Sequence, residues 1–106
     1  MVEIYAIGEI VDLTIIWDLP DDPDGNVLHI AEHGITQDEV EEVLGDASNP
    51  TVPSSSSGNP ITFGETSTGR YIAVVWEEAW DDPRTIKPIT AYETPRPRPK
   101  RKRKRS

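Results

Sequence analysis

Cysteine is absent from the chain, which excludes a disulfide scaffold, any cysteine-ligated zinc and any cysteine redox site. Long apolar runs are also missing: no stretch approaches the roughly 20 residues of a membrane span. The first residues, Met1-Val2-Glu3-Ile4, carry an acid where a secretory signal carries bases, so the sequence predicts a cytoplasmic protein that meets no membrane. There is no Gly-rich phosphate loop, and Ser54 to Ser57 lie in a serine run without the G-x-S-x-G frame of a nucleophile elbow. What is there fits one small α+β domain. With 106 residues of which 35% are hydrophobic, the chain has material for two packed layers around one core. A body of this size buries only roughly 60–65% of the surface that its unfolded chain exposes.

Positive charge is scarce except at one end. Arg96, Arg98, Lys100, Arg101, Lys102, Arg103, Lys104 and Arg105 make 8 of the 11 cations, whereas residues 1–95 hold Arg70, Arg84 and Lys87 against all 19 acids, a net of −16. Such a body repels a phosphate backbone, and such a tail attracts one. The tail therefore reads as a sequence-independent binder of RNA or other nucleic acid. Its alternatives are a solubility tail that folds back on the acidic body and, in a eukaryotic cell, a nuclear import signal.

Leu13, Ile15 and Trp17 alternate with Thr14, Ile16 and Asp18, which predicts a strand closing the first 18 residues. Residues 19–25 contain two prolines and a glycine and form a turn. Val27, Ile30 and Ala31 then recur at helical spacing, predicting a helix from Asn26 to His33 with Gly34 as its left-handed cap. Thr36-Gln37-Asp38-Glu39 is a capping box, stapled by Ile35 and Val40; Val43 and Leu44 continue the buried stripe to Gly45. Residues 45–60 hold three prolines and five serines and read as a mobile connection with a short strand near Thr51-Val52. Strands are predicted over 61–66, 70–78 and 85–93, with Tyr71 to Trp76 central because both faces are apolar, and with Pro88 marking an edge or a bulge. The order is β-α-α-β-β-β, two short helices packed on an antiparallel sheet. The domain spans 1–93, and 94–106 is a Pro/Lys/Arg-rich tail, disordered because prolines and like charges build no core.

His29-Ile30-Ala31-Glu32-His33 has the H-x-x-E-H spacing of inverted zinc peptidases. Such an enzyme needs a third protein ligand and a long cleft, which a chain of this size and an eight-residue helix do not provide. The simpler account places His29 and Glu32 in solvent and His33 at a helix C-terminus. Asp18, Asp21, Asp22 and Asp24 suggest calcium, yet the loop lacks the glycine and the terminal glutamate that calcium loops require. Trp76, Glu77, Glu78 and Trp80 read as core and hairpin surface. No metal and no cofactor are expected.

Four features taken together resemble the BrnT family of bacterial type II toxin–antitoxin toxins: Trp17-Asp18 closing a strand, His33-Gly34 between two helices, Gly69-Arg70 opening a β-branched strand, and Ile86 to Ala91 ending the sheet. The resemblance covers roughly residues 15–93. It implies a RelE-like fold, metal-independent ribonuclease activity that arrests translation, and a small DNA-binding antitoxin as partner. Such cleavage requires a base for the ribose 2′-hydroxyl and cations for the transition state. Where that family follows Ser-Ala with arginine, this chain follows Thr90-Ala91 with Tyr92. The candidate catalytic set is therefore Arg70 and Lys87 as cations with Tyr92, His33 and Glu93 as proton carriers, and the expected activity is weakened. The alternative is a non-catalytic module whose acidic body binds a protein while its tail holds nucleic acid.

Overall fold

A computed structural model describes residues 2–4, 13–55, 57–80 and 84–97. The elements are β1 (Val2–Ile4), β2 (Leu13–Ile15), α1 (Asn26–Glu32), α2 (Gln37–Leu44), β3 (Thr51–Pro53), β4 (Pro60–Glu65), β5 (Tyr71–Trp80) and β6 (Thr85–Glu93). They form an α+β fold with one six-stranded sheet in the order β1-β2-β6-β5-β4-β3.

Two expectations about the sheet are corrected. The N-terminal segment supplies two strands, β1 antiparallel to β2 with Val2 opposite Ile15, and β2 ends at Ile15 rather than at Asp18. Ile16 N–H still donates to Ile86 O at 2.9 Å, and two residues further on the amide of Asp18 bonds Asn26 Oδ1 at 2.9 Å instead of a strand. The sheet is mixed, since β2 runs parallel to β6 with Ile15 opposite Ile86. A parallel pair needs a long crossover, and both helices and three strands intervene between these two. The other pairs, β3 with β4, β4 with β5 and β5 with β6, are antiparallel as expected.

β5 lies in the middle of the sheet, where a strand apolar on both faces belongs, and Ile72, Ala73 and Val74 are fully buried. The register slips opposite Pro88, between Val75 and Trp76, so the proline sits at a bulge. Ile30, Ile35, Val40 and Val43 from the helical layer meet Leu13, Ile15, Ile72, Val74, Trp76, Ile86 and Ala91 in one core. Each fully buried aliphatic side chain contributes roughly 1.5–3 kcal/mol relative to exposure.

α1 ends in a Schellman motif: Ile35 N–H donates to Ile30 O and Gly34 N–H to Ala31 O, with Gly34 at φ +77°. His33 caps this helix rather than extending it. The expected stripe is also narrower, for Asn26 and Ile30 are buried whereas Ala31 is exposed. A seven-residue helix presents only one i, i+4 pair to the sheet. α2 begins with the complete capping box: Glu39 N–H donates to Thr36 Oγ1 and Thr36 N–H to Glu39 Oε1. Residues 94–97 follow β6 without regular structure but stay on the body, with Thr94 N–H donating to Tyr71 O at 2.9 Å. The expected tail from residue 98 onward lies outside the described residues.

Candidate functional site

Four of the five predicted catalytic residues lie around the corner between the helices. Gly34 takes a left-handed conformation there, φ +77°, which favours glycine, and Arg70 Nη2 stands at ordinary contact distance, 3.7 Å, from where a Cβ would be. Arg70 Nη1 donates to Gly34 O at 2.9 Å. The guanidinium also meets two carboxylates, Glu39 Oε2 at 3.5 Å and Glu93 Oε1 at 3.6 Å. Beside Glu93, the Tyr92 ring lies edge-on to His33 with centroids 6.5 Å apart, and His33 lies 5.6 Å from His29. Arg70, His33, Tyr92 and Glu93 therefore come together from the corner, the start of β5 and the end of β6.

Lys87 does not join them. Its ammonium stands 3.5 Å from Asp18 Oδ1, in a separate cleft of about 420 Å3 that Asp24, His29 and Glu77 also line. Arg96, the first of the predicted nucleic-acid-binding cations, donates to Glu65 Oε2 at 2.6 Å and to Gly69 O at 3.0 Å. Arg98, Lys100, Arg101, Lys102, Arg103, Lys104 and Arg105 lie outside the described residues. Arg84 differs from the other described cations in lying over the Trp76 ring, 5.6 Å from its centroid, rather than against a carboxylate.

Glu39 is the residue the sequence only half revealed. The capping box foretells its bond to Thr36, but the same carboxylate is buried and also accepts the Thr68 hydroxyl at 2.9 Å and faces Arg70. A buried carboxylate persists only when it is paired, and this one has a helix amide, a hydroxyl and a guanidinium. Asn26 was not foreseen at all. Its amide donates to Ile16 O and Pro88 O, and its oxygen accepts from Asp18, so it fastens α1 to the bulge of β6. Trp17 Nε1 likewise donates to Glu41 of α2 at 2.8 Å.

Chemically, the corner offers two exposed proton carriers, an imidazole and a phenol, beside a half-buried guanidinium whose charge two carboxylates offset. Among the described residues no group of three or more His, Cys, Asp or Glu is placed to hold a metal, and no helix is long and apolar enough to cross a membrane. Comparison with protein-family models, with curated proteins and with solved structures finds no match.

Proposed function

We propose that the chain is a BrnT-like toxin with a RelE-like fold, acting in the cytoplasm as a weak, metal-independent ribonuclease and held in check by a small DNA-binding antitoxin. The observation that carries this reading is the convergence of His33, Tyr92, Glu93 and Arg70 at one corner. His33 takes the proton of a ribose 2′-hydroxyl as its oxygen attacks phosphorus, and the departing 5′-oxygen takes its proton from water; Arg70 faces the charge that develops between them, and Tyr92 stands where the resemblance calls for a second cation. Glu39 and Glu93 already occupy the guanidinium in part, which accounts for weak rather than strong catalysis. The cations from Arg98 to Arg105 draw RNA toward an otherwise repulsive body. The test is incubation of the full chain with a long single-stranded RNA in the presence of chelator. Fragments ending in a cyclic 2′,3′-phosphate, with an all-deoxy analogue left intact, are the expected products; intact RNA overturns the reading.

A second reading has its own observation. Three of the four described cations, Arg70, Lys87 and Arg96, each face a carboxylate, which leaves Arg84 as the one without such a partner among the described residues. A body of that kind suits a non-catalytic module that binds a protein while its tail holds nucleic acid. Tight RNA binding without cleavage is its signature.

A further inference from the structure

A second concave site lies at the other end of α2, remote in composition from the corner, with which it shares no residue. It encloses about 160 Å3 between the helix and the sheet. Leu13, Leu44 and Ile86 form apolar walls, and Trp76 supplies an aromatic one. The indole is fixed: only 7% exposed, it donates from Nε1 to Thr62 Oγ1 at 2.9 Å. Two charged groups stand on the lining, Arg84 and Asp46.

Their states matter. Arg84 has no carboxylate partner among the described residues, and its guanidinium lies over Trp76. Asp46 accepts from the Ser48 hydroxyl and amide, which holds its carboxyl below the ordinary carboxylate range. The pocket thus offers apolar walls, one planar donor lying over the indole and one ionised acceptor. Its volume is close to that of cavities known to take a single aromatic ring, with an open side for more.

A ligand matching all three features is planar and aromatic, with acceptors on one edge and donors on another. Among nucleobases guanine fits best: its O6 and N7 accept from a guanidinium, while its ring N–H and exocyclic amine donate to a carboxylate. Unpaired bases are commonly held by stacking on an aromatic ring or a guanidinium plane. We propose that this pocket binds a guanine base, supplied by a free nucleoside or by an unpaired nucleotide of RNA. The proposal does not depend on RNA cleavage, and a chain that cleaves nothing still answers the test.

The experiment follows the indole N–H resonances of the 15N-labelled full chain as each of the four common ribonucleosides is added. Uncharged nucleosides are used so that the tail's attraction for phosphate plays no part. Guanosine should shift the Trp76 resonance ahead of the other three nucleosides and leave those of Trp17 and Trp80 in place. Arg84→Ala should weaken this binding about tenfold, and Arg84→Lys, which keeps the charge and loses the planar fork, nearly as much. Asp46→Asn should remove the preference for guanosine over adenosine. At high salt, a guanine trinucleotide that acts at lower concentration than guanosine identifies RNA as the source, and equal action identifies the free nucleoside. An unmoved Trp76 resonance at millimolar guanosine, or a shift that persists unchanged in Arg84→Ala, overturns the proposal.

Discussion

Arg70 reaches Glu39 across the junction of the two helices, with Nη1 3.5 Å from Oε2, and the Glu39 side chain is only 7% exposed. The contact joins the start of β5 to the first turn of α2, so the guanidinium proposed to face a phosphate also holds the fold together. Removing the carboxylate strands Thr36 N–H, the Thr68 hydroxyl and part of the guanidinium charge. Glu39→Ala should therefore cost about 2–3 kcal/mol, against about 1 kcal/mol for Thr36→Ala, which removes only the threonine oxygen of the cap. Denaturant midpoints measure both, and equal costs would mean that Glu39 acts solely as a cap.

Asn26 holds Ile16 O, Pro88 O and the Asp18 amide with one buried side chain. Asn26→Ala should cost roughly 2–4 kcal/mol, because three backbone groups lose their partner at once. Asn26→Asp should be no better, since a carboxylate would face two carbonyl oxygens. Thermal unfolding of the two variants beside the wild type checks the claim; a loss well under 1 kcal/mol would contradict it.

These two residues show where the sequence was legible. Thr36 and Glu39 lie three residues apart on one helix turn, so their bond follows from local geometry and could be read before any fold was known. The Glu39–Arg70 contact spans 31 residues and Asn26–Pro88 spans 62, and no local pattern encodes either. The same distance problem hid the parallel pairing of β2 with β6, because alternation marks a strand without naming its neighbour. Gly34 was legible because a left-handed residue at the end of a helix favours glycine, and the placement of His33 followed from it. Of the candidate residues named from the sequence, Arg70, His33, Tyr92 and Glu93 lie around one corner, whereas neither the pairing of Arg70 with Glu39 nor the separation of Lys87 could be read from local pattern.

Asp46 gives a pH dependence with a definite sign. Its carboxyl is lowered by the bonds from Ser48, so the stability it contributes is present above the ordinary carboxyl pKa and is lost as pH falls through the lowered value. Ser48→Ala should remove the hydroxyl bond and raise the Asp46 titration toward the ordinary range. Carboxyl carbon shifts followed from neutral to acidic pH report it directly, and an unchanged titration would contradict the assignment.

Deleting residues 96–106 removes 8 of the 11 positive charges and leaves a body of net −16. Binding to a mixed-sequence RNA should fall by at least about 100-fold at moderate salt, and the steep salt dependence should vanish with it, because few counterions remain to be released. Affinity against salt concentration for the two chains measures this. A truncated chain that binds as tightly and with the same slope would place the RNA surface on the body.

The most direct test of the account compares RNA cleavage, with chelator present, by the wild type, His33→Ala and Tyr92→Arg. His33 and Tyr92 are both exposed, so neither change should unfold the domain. The account predicts slow cleavage by the wild type, a loss of about 100-fold in His33→Ala, and a gain in Tyr92→Arg, which adds a guanidinium beside the corner. Wild type and Tyr92→Arg both inert toward RNA, in folded chains that still bind it, would contradict the ribonuclease reading and leave the binding module in its place.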